Sequence, residues 1–169
     1  MTETFFYNSP IGALQITGDE ETLQTVLFVS SKKNGVAENN ALTYSTPVSA
    51  VLKKCVTQLD NYFAGINLFF NVPLQQQGTY FQQEVWSQLI KIKPGVTISY
   101  LQLSKNLGNV KAIRAVGTAN SKNNIAIIVP CHRVIGSNGD MVGYAGDIWR
   151  KKWLLQHEAK YLNGVQTLF

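Results

Sequence analysis

Positions 127–134 read IIVPCHRV, an apolar run that stops at a proline and leads to a cysteine followed directly by a histidine. Pro130 fixes its own φ and disfavours the helical region for the residue before it, so 125–129 is predicted to be a buried strand. Cys131 would then lie on a turn at the end of that strand, where a thiol can face a cleft. His132 could take the thiol proton directly or through a water, which would make the sulfur a nucleophile.

The chain has two cysteines, Cys55 and Cys131, and two histidines. Two cysteines do not make a disulfide framework, and the histidines add no zinc-ligand spacing, so we predict neither disulfides nor a metal site. A free cysteine is most often a small core hydrophobe. The Cys-His pair alone therefore leaves a structural role open for Cys131.

The composition is that of a soluble globular protein. The chain has 169 residues, of which 45% are hydrophobic and 15% charged, enough for one medium domain or two small ones. No segment approaches the length of a membrane span, and the N-terminus lacks the pattern of a secretory signal. The sequence therefore predicts a protein kept in a cytosolic or nuclear compartment, with the cytoplasm as the predicted location and no membrane partner.

Charge is divided unevenly along the chain. Residues 1–77 carry four basic and six acidic side chains, a net −2, whereas residues 78–169 carry eleven and four, a net +7. This favours a polyanion bound by the second half alone, although an ordinary basic surface is the alternative. The sign changes at the polar segment 73–80, which contains Pro and Gly, and we predict a linker there between domains 1–77 and 78–169.

The first half alternates short β-branched and aromatic runs with turn residues. Residues 4–30 are predicted to form a meander of hairpins. A helix is predicted from Pro47 to about Phe63, with Cys55 on its apolar face, and a further strand over 68–72. Cys55 is therefore assigned to the core.

The second half is predicted to be mostly helical. Helical spacing of apolar residues covers 81–92, and Ser99 can cap a helix over 100–107. Gly108-Asn109 makes a tight turn before another helix over 110–120. Two short helices joined through a glycine turn are typical of a helix-turn-helix.

The helix over 110–120 has two distinct faces. The face predicted to pack inward consists of Val110, Ile113, Val116 and Gly117. The other carries Lys111, Arg114 and Thr118, flanked by Ala112, Ala115 and Ala119. Small residues beside cations let a helix approach a groove closely while the cations reach phosphates, so this face is predicted to contact DNA. The alternative is a solvated helix face rich in alanine.

The final helix is predicted to begin near Asp147 or Ile148 and to run to about Tyr161. Its apolar face includes Glu158, and a glutamate is almost never buried without a partner. The candidate partner is His132, whose tautomer a buried carboxylate would fix, making the other ring nitrogen a better base toward the cysteine. An exposed position in a fraying terminal helix is the alternative for Glu158.

Taken together, these segments resemble the O6-alkylguanine-DNA alkyltransferase family. PCHRV at 130–134 looks like the family's active-site signature, and 1–77 resembles its N-terminal domain more loosely, in the order of its elements. The closer similarity runs from about Gly78 to Glu158, in separate segments with the right order and spacing. These segments are Gly78-Thr79, Phe81-Gln82, Val85-Trp86, Ser99-Tyr100, 114–117, Asn123, Tyr144 with Gly146, and 151–158.

The resemblance implies a fold and an activity. The fold would be α+β, with a small N-terminal α/β domain of ribonuclease H-like type followed by a mostly helical winged helix-turn-helix domain. The activity would be DNA repair by direct damage reversal, in which the alkyl group of O6-alkylguanine, and of O4-alkylthymine, moves to Cys131 in one turnover. The protein would act as a monomer on the minor groove of double-stranded DNA, with no cofactor and no metal.

The resemblance also implies residue roles at the reacting centre. Cys131 would be the nucleophile and alkyl acceptor, His132 the base through a water, and Glu158 the group that orients His132. Arg114 would take the place of the extruded nucleotide in the base stack. Tyr100 would help to rotate the 3′ phosphate and donate its proton to guanine N3.

Further roles follow for the surrounding residues. Asn123 would brace the turn that carries the cysteine. The DNA-binding set would include Arg114, Tyr100, Lys111, Ala115, Thr118, Ala119 and Asn120. The pocket for the flipped base would be formed by Val134, Tyr144, Ala145 and Gly146. Ala145 stands where some relatives have a serine, so we expect a roomier pocket in which only its backbone N–H can contact the base.

Three other functions would use the same features. A non-enzymatic lesion-binding protein would resemble this family but lack the cysteine. A winged-helix regulator would treat Cys131 as a redox or core thiol. A cysteine hydrolase would use Cys131, His132 and Glu158 but would leave the basic helix pair unexplained.

Overall fold

The computed structural model of the chain describes residues 1–29, 46–141, 144 and 146–162. No helix within these ranges is long and apolar enough to cross a bilayer. The α+β fold predicted from the sequence is confirmed: a small N-terminal sheet and helix are followed by a mostly helical second half.

The N-terminal sheet has three antiparallel strands in the order β1 (Glu3–Ser9), β2 (Gly12–Gly18) and β3 (Leu23–Phe28). Burial alternates along β2, where Leu14 and Ile16 are fully buried. This period of two is the reason that one face of the sheet joins the core. The predicted meander of hairpins is confirmed over the described part of 4–30.

Helix α1 (Ala50–Ala64) covers this sheet. It begins later than predicted from Pro47, because Ser49 adopts an extended backbone and its side chain caps the first turn. The buried residues along it include Cys55, as predicted, and Tyr62. The helix ends at Gly65, which has a positive φ of 73°.

The strand predicted over 68–72 is wrong. This segment has no ladder partner, and the backbone N–H of Asn71 donates to the side chain of Gln58 instead, at 3.1 Å. Pairing with the sheet starts only further on, where Leu74 forms an isolated bridge with Leu23. A side chain of α1 has taken over the hydrogen bond that a strand would have needed.

The second half begins with α2 (Tyr80–Ile90), which a capping box at Thr79 and Gln82 starts. The two helices of the predicted helix-turn-helix are α3 (Tyr100–Asn106) and α4 (Ile113–Ser121), with a 3-10 turn at Val110–Ala112 between them. The 3-10 turn changes the inward face. Val110 and Ile113 are exposed, contrary to the prediction, and Val116 is fully buried. A 3-10 turn winds more tightly than an α-helix and rotates these side chains out of register.

Two short strands and a last helix complete the fold. Strand β4 (Ile98–Ser99) pairs in parallel with β5 (Val134–Ile135), and α5 (Ile148–Leu162) lies beside the turn that precedes β5. Helices α2 and α4 pack together, and the indole of Trp86 donates to the Ala119 carbonyl at 2.9 Å.

The outer edge of β3 pairs with two later segments of the chain, and the second of these belongs to the C-terminal half. Leu23 exchanges hydrogen bonds with Pro73 and Gln75, and Val26 exchanges hydrogen bonds with Asn124 and Ala126. All four bonds measure 2.8 to 3.0 Å. The turn before Cys131 is therefore fixed directly on the N-terminal sheet. The limits of the two domains at 77 and 78 stay a prediction.

Candidate active site

The predicted strand over 125–129 is wrong, because the chain turns here instead. Ile125 forms one bridge with β3, and then the Val129 N–H donates back to the Ile125 carbonyl at 3.1 Å. Ile127 has a positive φ of 72°, an unusual and strained conformation for a β-branched residue. Strain of this kind persists only where the surrounding contacts hold the backbone in place.

Asn123 supplies the contacts that hold this turn. Its amide nitrogen donates to the Val129 carbonyl at 2.8 Å and its amide oxygen accepts from the Ile125 N–H at 3.1 Å. Gln76, from the predicted linker, donates to the same oxygen at 2.7 Å. The turn is therefore built around one buried amide.

Replacing Asn123 by alanine should lower the free energy of unfolding by about 2–3 kcal/mol, because it leaves buried backbone groups and Gln76 without partners. Urea denaturation measures this. The matched control is Asn138→Ala, which removes an exposed turn asparagine that accepts from the Asp140 N–H at 3.2 Å. An Asn123→Ala protein as stable as the control would contradict this account of the turn.

Cys131 begins a 3-10 turn, Cys131–Arg133, and its side chain is buried. The amide nitrogen of Asn123 lies 3.2 Å from the sulfur, within donating distance. Asn120 of α4 donates to the Cys131 carbonyl at 3.3 Å. Burial raises the pKa of the Cys131 thiol, and the hydrogen bond from Asn123 and the charge of Lys151 oppose that rise.

His132 and Glu158 form the predicted pair. The distance from His132 Nε2 to Glu158 Oε1 is 2.7 Å, and both side chains are fully buried. A carboxylate can only accept, so Nε2 carries the hydrogen and Nδ1 keeps the lone pair. Nδ1 is buried without a hydrogen-bond partner among the described residues. It is therefore the nitrogen that is able to accept a proton.

Arg133 is a site residue that the sequence analysis missed. Its Nε donates to Glu158 Oε2 at 3.0 Å, and its Nη2 donates to Glu158 Oε1 at 2.7 Å. Its Nη1 donates to the Ile92 carbonyl. Because the chain enters the buried strand β5 directly after Arg133, a cation here needed a buried acceptor. Glu158 was the one carboxylate predicted to be buried, so the pairing could have been found.

Tyr62 of α1 was also missed. Its hydroxyl donates to Glu158 Oε1 at 3.0 Å, across 96 positions of sequence. Tyr62 lies three positions after Leu59 on the buried stripe of α1. A buried phenol needs a partner for its hydroxyl, and this spacing was the signal that was overlooked.

Near neutral pH the carboxylate of Glu158 is charged, whereas the imidazole of His132 is neutral. Burial alone would raise the pKa of Glu158, but the attraction and hydrogen bonds of His132 and Arg133 hold it well below its usual range. The lowered pKa keeps Glu158 ionised near neutral pH. Burial lowers the pKa of His132, against the pull of Glu158, so the imidazole is neutral near pH 7.

Lys151 adds a positive charge to the site. It lies on α5, is fully buried, and its Nζ donates to the Val134 carbonyl at 2.6 Å. Burial lowers its pKa to about 8, while the charge of the Cys131 thiolate opposes that shift. A cation close to the sulfur favours the thiolate form.

Two tyrosines lie close to the reacting residues. Burial raises the pKa of Tyr100, and the nearby charge of Cys131 raises it further. Tyr144 is buried, with its ring edge-on to His132 at a centroid distance of 6.5 Å. Its hydroxyl has no hydrogen-bond partner among the described residues, which leaves a polar group directed into the interior beside His132.

The other predicted pocket residues are only partly described. Val134 is fully buried at the start of β5. A Cβ on Gly146 would lie within 2.6 Å of the rings of Tyr144 and Phe28, so only glycine fits there. Ala145 lies outside the described residues.

The predicted DNA-binding residues separate into two groups. Lys111, Arg114, Ala115 and Thr118 are exposed along the 3-10 turn and α4. Ala119 and Asn120 are buried instead, and their polar groups bond inward, to Trp86 and to the Cys131 carbonyl. The structure therefore presents four residues of this helix to solvent and turns these two toward the protein interior.

No group of three or more residues among the described part of the chain could hold a metal ion. The site is formed from protein groups: a thiol, an imidazole, a carboxylate and the cations around them.

Comparison with known proteins agrees with this arrangement. A family model described as the 6-O-methylguanine DNA methyltransferase DNA-binding domain matches residues 80–160, and the model of the ribonuclease-like domain of the same proteins matches 4–76. A methylated-DNA–protein-cysteine methyltransferase of Methanosarcina acetivorans is 44% identical over 152 residues, covering 90% of this chain and 95% of that protein. Its counterpart in Mycobacterium bovis is 41% identical over 162 residues, covering 96% and 95%.

The solved structures agree as well. The crystal structure of Mycobacterium tuberculosis O6-methylguanine methyltransferase superposes with a TM-score of 0.82 at 40% identity, covering 95% of this chain and 94% of that one. A complex of the Mycobacterium tuberculosis protein with DNA gives the same TM-score at 40% identity, covering 94% and 93%.

Fold, site and relatives together define a DNA-repair protein of the direct-reversal class. More narrowly, the chain belongs to the family of methylated-DNA–protein-cysteine methyltransferases. Its activity is the transfer of an alkyl group from DNA to a cysteine of the protein itself.

Proposed function

We propose that Cys131 is the alkyl acceptor and that His132 is its base. The observation that carries this proposal is the environment of two adjacent residues: Asn123 donates to the Cys131 sulfur, and Glu158 fixes the imidazole of His132, the next residue along the chain. The other cysteine, Cys55, lies in the core of the N-terminal half, where burial raises its pKa to about 12. Only Cys131 has a base and a donor beside it.

The transfer is an in-line displacement at the alkyl carbon. The thiol proton passes through a water to His132 Nδ1, a bond forms between the Cys131 sulfur and the alkyl carbon, and the bond from that carbon to guanine O6 breaks. The electron pair stays on the guanine, which takes up a proton at N3 from Tyr100. The imidazolium then releases its proton to water and the Tyr100 phenolate takes one up from water. The net proton movement is therefore from thiol to guanine, and the step needs no further reactant.

The local charges fit this sequence of events. Because burial raises the pKa of Cys131, the thiolate is scarce until a base acts on it. Neutral His132 is available as that base, and ionised Glu158 stabilises the imidazolium that forms. The charge of Lys151 and the hydrogen bond from Asn123 also stabilise the thiolate.

The product is a thioether, which has no good leaving group and no second nucleophile beside it. Each molecule therefore reacts once. With an excess of duplex carrying O6-methylguanine, repair should stop at one lesion per protein molecule. Continued turnover beyond one equivalent would contradict the assignment of Cys131 as the final acceptor. O4-alkylthymine is a second substrate in this proposal.

DNA binding is proposed for the exposed surface of Lys111, Arg114, Ala115 and Thr118. The mycobacterial relative solved with DNA supports a DNA partner, and the basic second half of the chain supplies the charge. We assign the minor groove to this surface, because small residues beside the cations permit close approach. A monomer is sufficient, since all the reacting groups come from one chain. A cytoplasmic location stays a prediction.

The alkyl group on O6 is out of reach of a thiolate inside a duplex, so the nucleotide must be flipped. We assign Arg114 to the gap that it leaves, because Arg114 is exposed on α4, the helix whose Asn120 binds the Cys131 carbonyl. Tyr100 is assigned to the 3′ phosphate. Val134, Tyr144, Ala145 and Gly146 are assigned to the pocket for the flipped base.

Replacing Arg114 by alanine should slow transfer from duplex DNA about 10- to 100-fold, which corresponds to losing about 1–3 kcal/mol of support for the flipped state. The rate with free O6-benzylguanine should change less than about twofold, because a free base needs no flipping. Lys53→Ala, on the exposed side of α1, is the control and should leave both rates unchanged. Equal losses on both substrates would contradict the flipping role.

A further inference from the structure

Tyr62 is contributed by the half of the chain that matches the ribonuclease-like domain, yet its hydroxyl donates to Glu158, the carboxylate that holds His132. We propose that Tyr62 is a positioning residue of the alkyl-transfer site, which sets through Glu158 how strongly His132 holds a proton. This inference rests on the proposed roles of Cys131 and His132.

Tyr62 donates to the same oxygen of Glu158 that accepts from His132. Glu158 Oε1 accepts from His132 at 2.7 Å, from Arg133 Nη2 at 2.7 Å and from Tyr62 at 3.0 Å. These three donors share one acceptor oxygen, so each hydrogen bond to it weakens the other two. All these side chains are buried, and water does not screen their competition.

The backbone and ring of Tyr62 are held in place, which directs its hydroxyl toward Glu158. Its backbone carbonyl accepts from His157 Nε2 at 2.6 Å, and its ring lies against Phe70 and His157 with centroids 5.4 and 5.2 Å away. Successive residues of α5, His157 and Glu158, thus bind the main chain and the side chain of the same tyrosine. Burial keeps the phenol neutral and therefore a donor.

Removing the hydroxyl should strengthen the pair of Glu158 with His132. With one donor fewer on Oε1, more negative charge faces the imidazolium, and the pKa of His132 rises. The charged or titratable groups that interact with this pair are Arg133 from the same turn, Lys151 and His157 from α5, Tyr144, and Tyr62 itself. Tyr62→Phe leaves all the others in place.

The test is the single-turnover rate of transfer as a function of pH for Tyr62→Phe. The acid limb, where His132 becomes protonated, should move to higher pH by about half a unit, so that the rate on that limb falls about threefold. On the plateau at higher pH, the rate of the variant should stay within about twofold of the wild-type rate. The shift should also appear in the ¹⁵N NMR titration of His132, which requires no turnover.

The matched control is Tyr7→Phe. Tyr7 also donates its hydroxyl to a carboxylate, Asp60, at 2.6 Å, and its ring stacks on Phe63 with centroids 6.3 Å apart. Neither Tyr7 nor Asp60 bonds to Glu158 or His132. In Tyr7→Phe, therefore, neither the acid limb of the rate profile nor the His132 titration should move. This control separates loss of a phenol hydrogen bond in general from loss of this one.

A second variant is expected to move the acid limb of the rate profile in the opposite direction. Placing 3,5-difluorotyrosine at position 62 makes the phenol a stronger donor, which should move the acid limb to lower pH. It also covers the possibility that Tyr62→Phe folds poorly. An unmoved limb and an unmoved His132 titration in an active protein would overturn the inference alone. A wild-type protein that never alkylates Cys131 would instead overturn the proposed function.

Discussion

Replacing Cys131 by alanine is expected to abolish alkyl transfer, with a loss of at least about a thousandfold, because no other group can accept the alkyl carbon. Lesion-dependent binding should remain, since the exposed surface of α4 is untouched. The measurement is a single-turnover assay on duplex DNA with O6-methylguanine, together with a binding titration on the same duplex.

Cys55→Ala is the matched control for this substitution, because it removes the other buried thiol of the chain. It should leave the rate of transfer unchanged once the folded fraction is corrected for. Its cost in stability should be modest, since a buried cysteine behaves as a small hydrophobe. Transfer that survives in Cys131→Ala but disappears in Cys55→Ala would reverse the assignment of the acceptor.

Replacing Glu158 by glutamine should have the largest effect on stability. The change removes one side of a buried ion pair and leaves the Arg133 guanidinium without a counter-charge, which costs about 3–5 kcal/mol of unfolding free energy. Transfer should slow as well, because neutral glutamine cannot stabilise the imidazolium of His132. Urea denaturation and the single-turnover assay measure the two losses.

The stability loss of Glu158→Gln should depend on pH in a definite direction. A carboxyl whose folded pKa lies below its unfolded value contributes its full stability above the unfolded value, near 4.5. That contribution is lost as the pH falls toward the folded value. The gap between wild type and variant should therefore narrow below about pH 4.5. A gap that widened on acidification would contradict an ionised Glu158.

Asp60→Asn is the control for this variant. Asp60 also accepts a phenol hydrogen bond, from Tyr7, but it is exposed and has no buried cation to neutralise. Its replacement should leave the unfolding midpoint nearly unchanged. The comparison therefore isolates the effect of burial on a charged partner.

Much of this site could be predicted from the sequence because its residues carry local signals. The proline before Cys131 and the adjacent His132 marked the turn. The helical spacing of α5 placed Glu158 on a buried face, and a buried carboxylate needs a partner. The pairing of His132 with Glu158 followed from that need and is present at 2.7 Å.

The parts that were missed depend on backbone geometry and side-chain contacts that apolar spacing does not reveal. The segment over 125–129 is a turn because Asn123 binds both of its ends, and apolar composition alone cannot distinguish a turn of this kind from a buried strand. Tyr62 reaches Glu158 across 96 positions, and only the packing of α1 against α5 brings them together. The exposure of Val110 and Ile113 follows from a 3-10 turn that helical periodicity does not anticipate.

The most direct test of the central claim is peptide mass spectrometry after the protein is mixed with excess duplex carrying one O6-methylguanine. The account predicts a mass gain of one methylene unit on the peptide that contains Cys131, saturating at one per protein and absent from the peptide that contains Cys55. Restored guanine with no mass gain at Cys131 would contradict it.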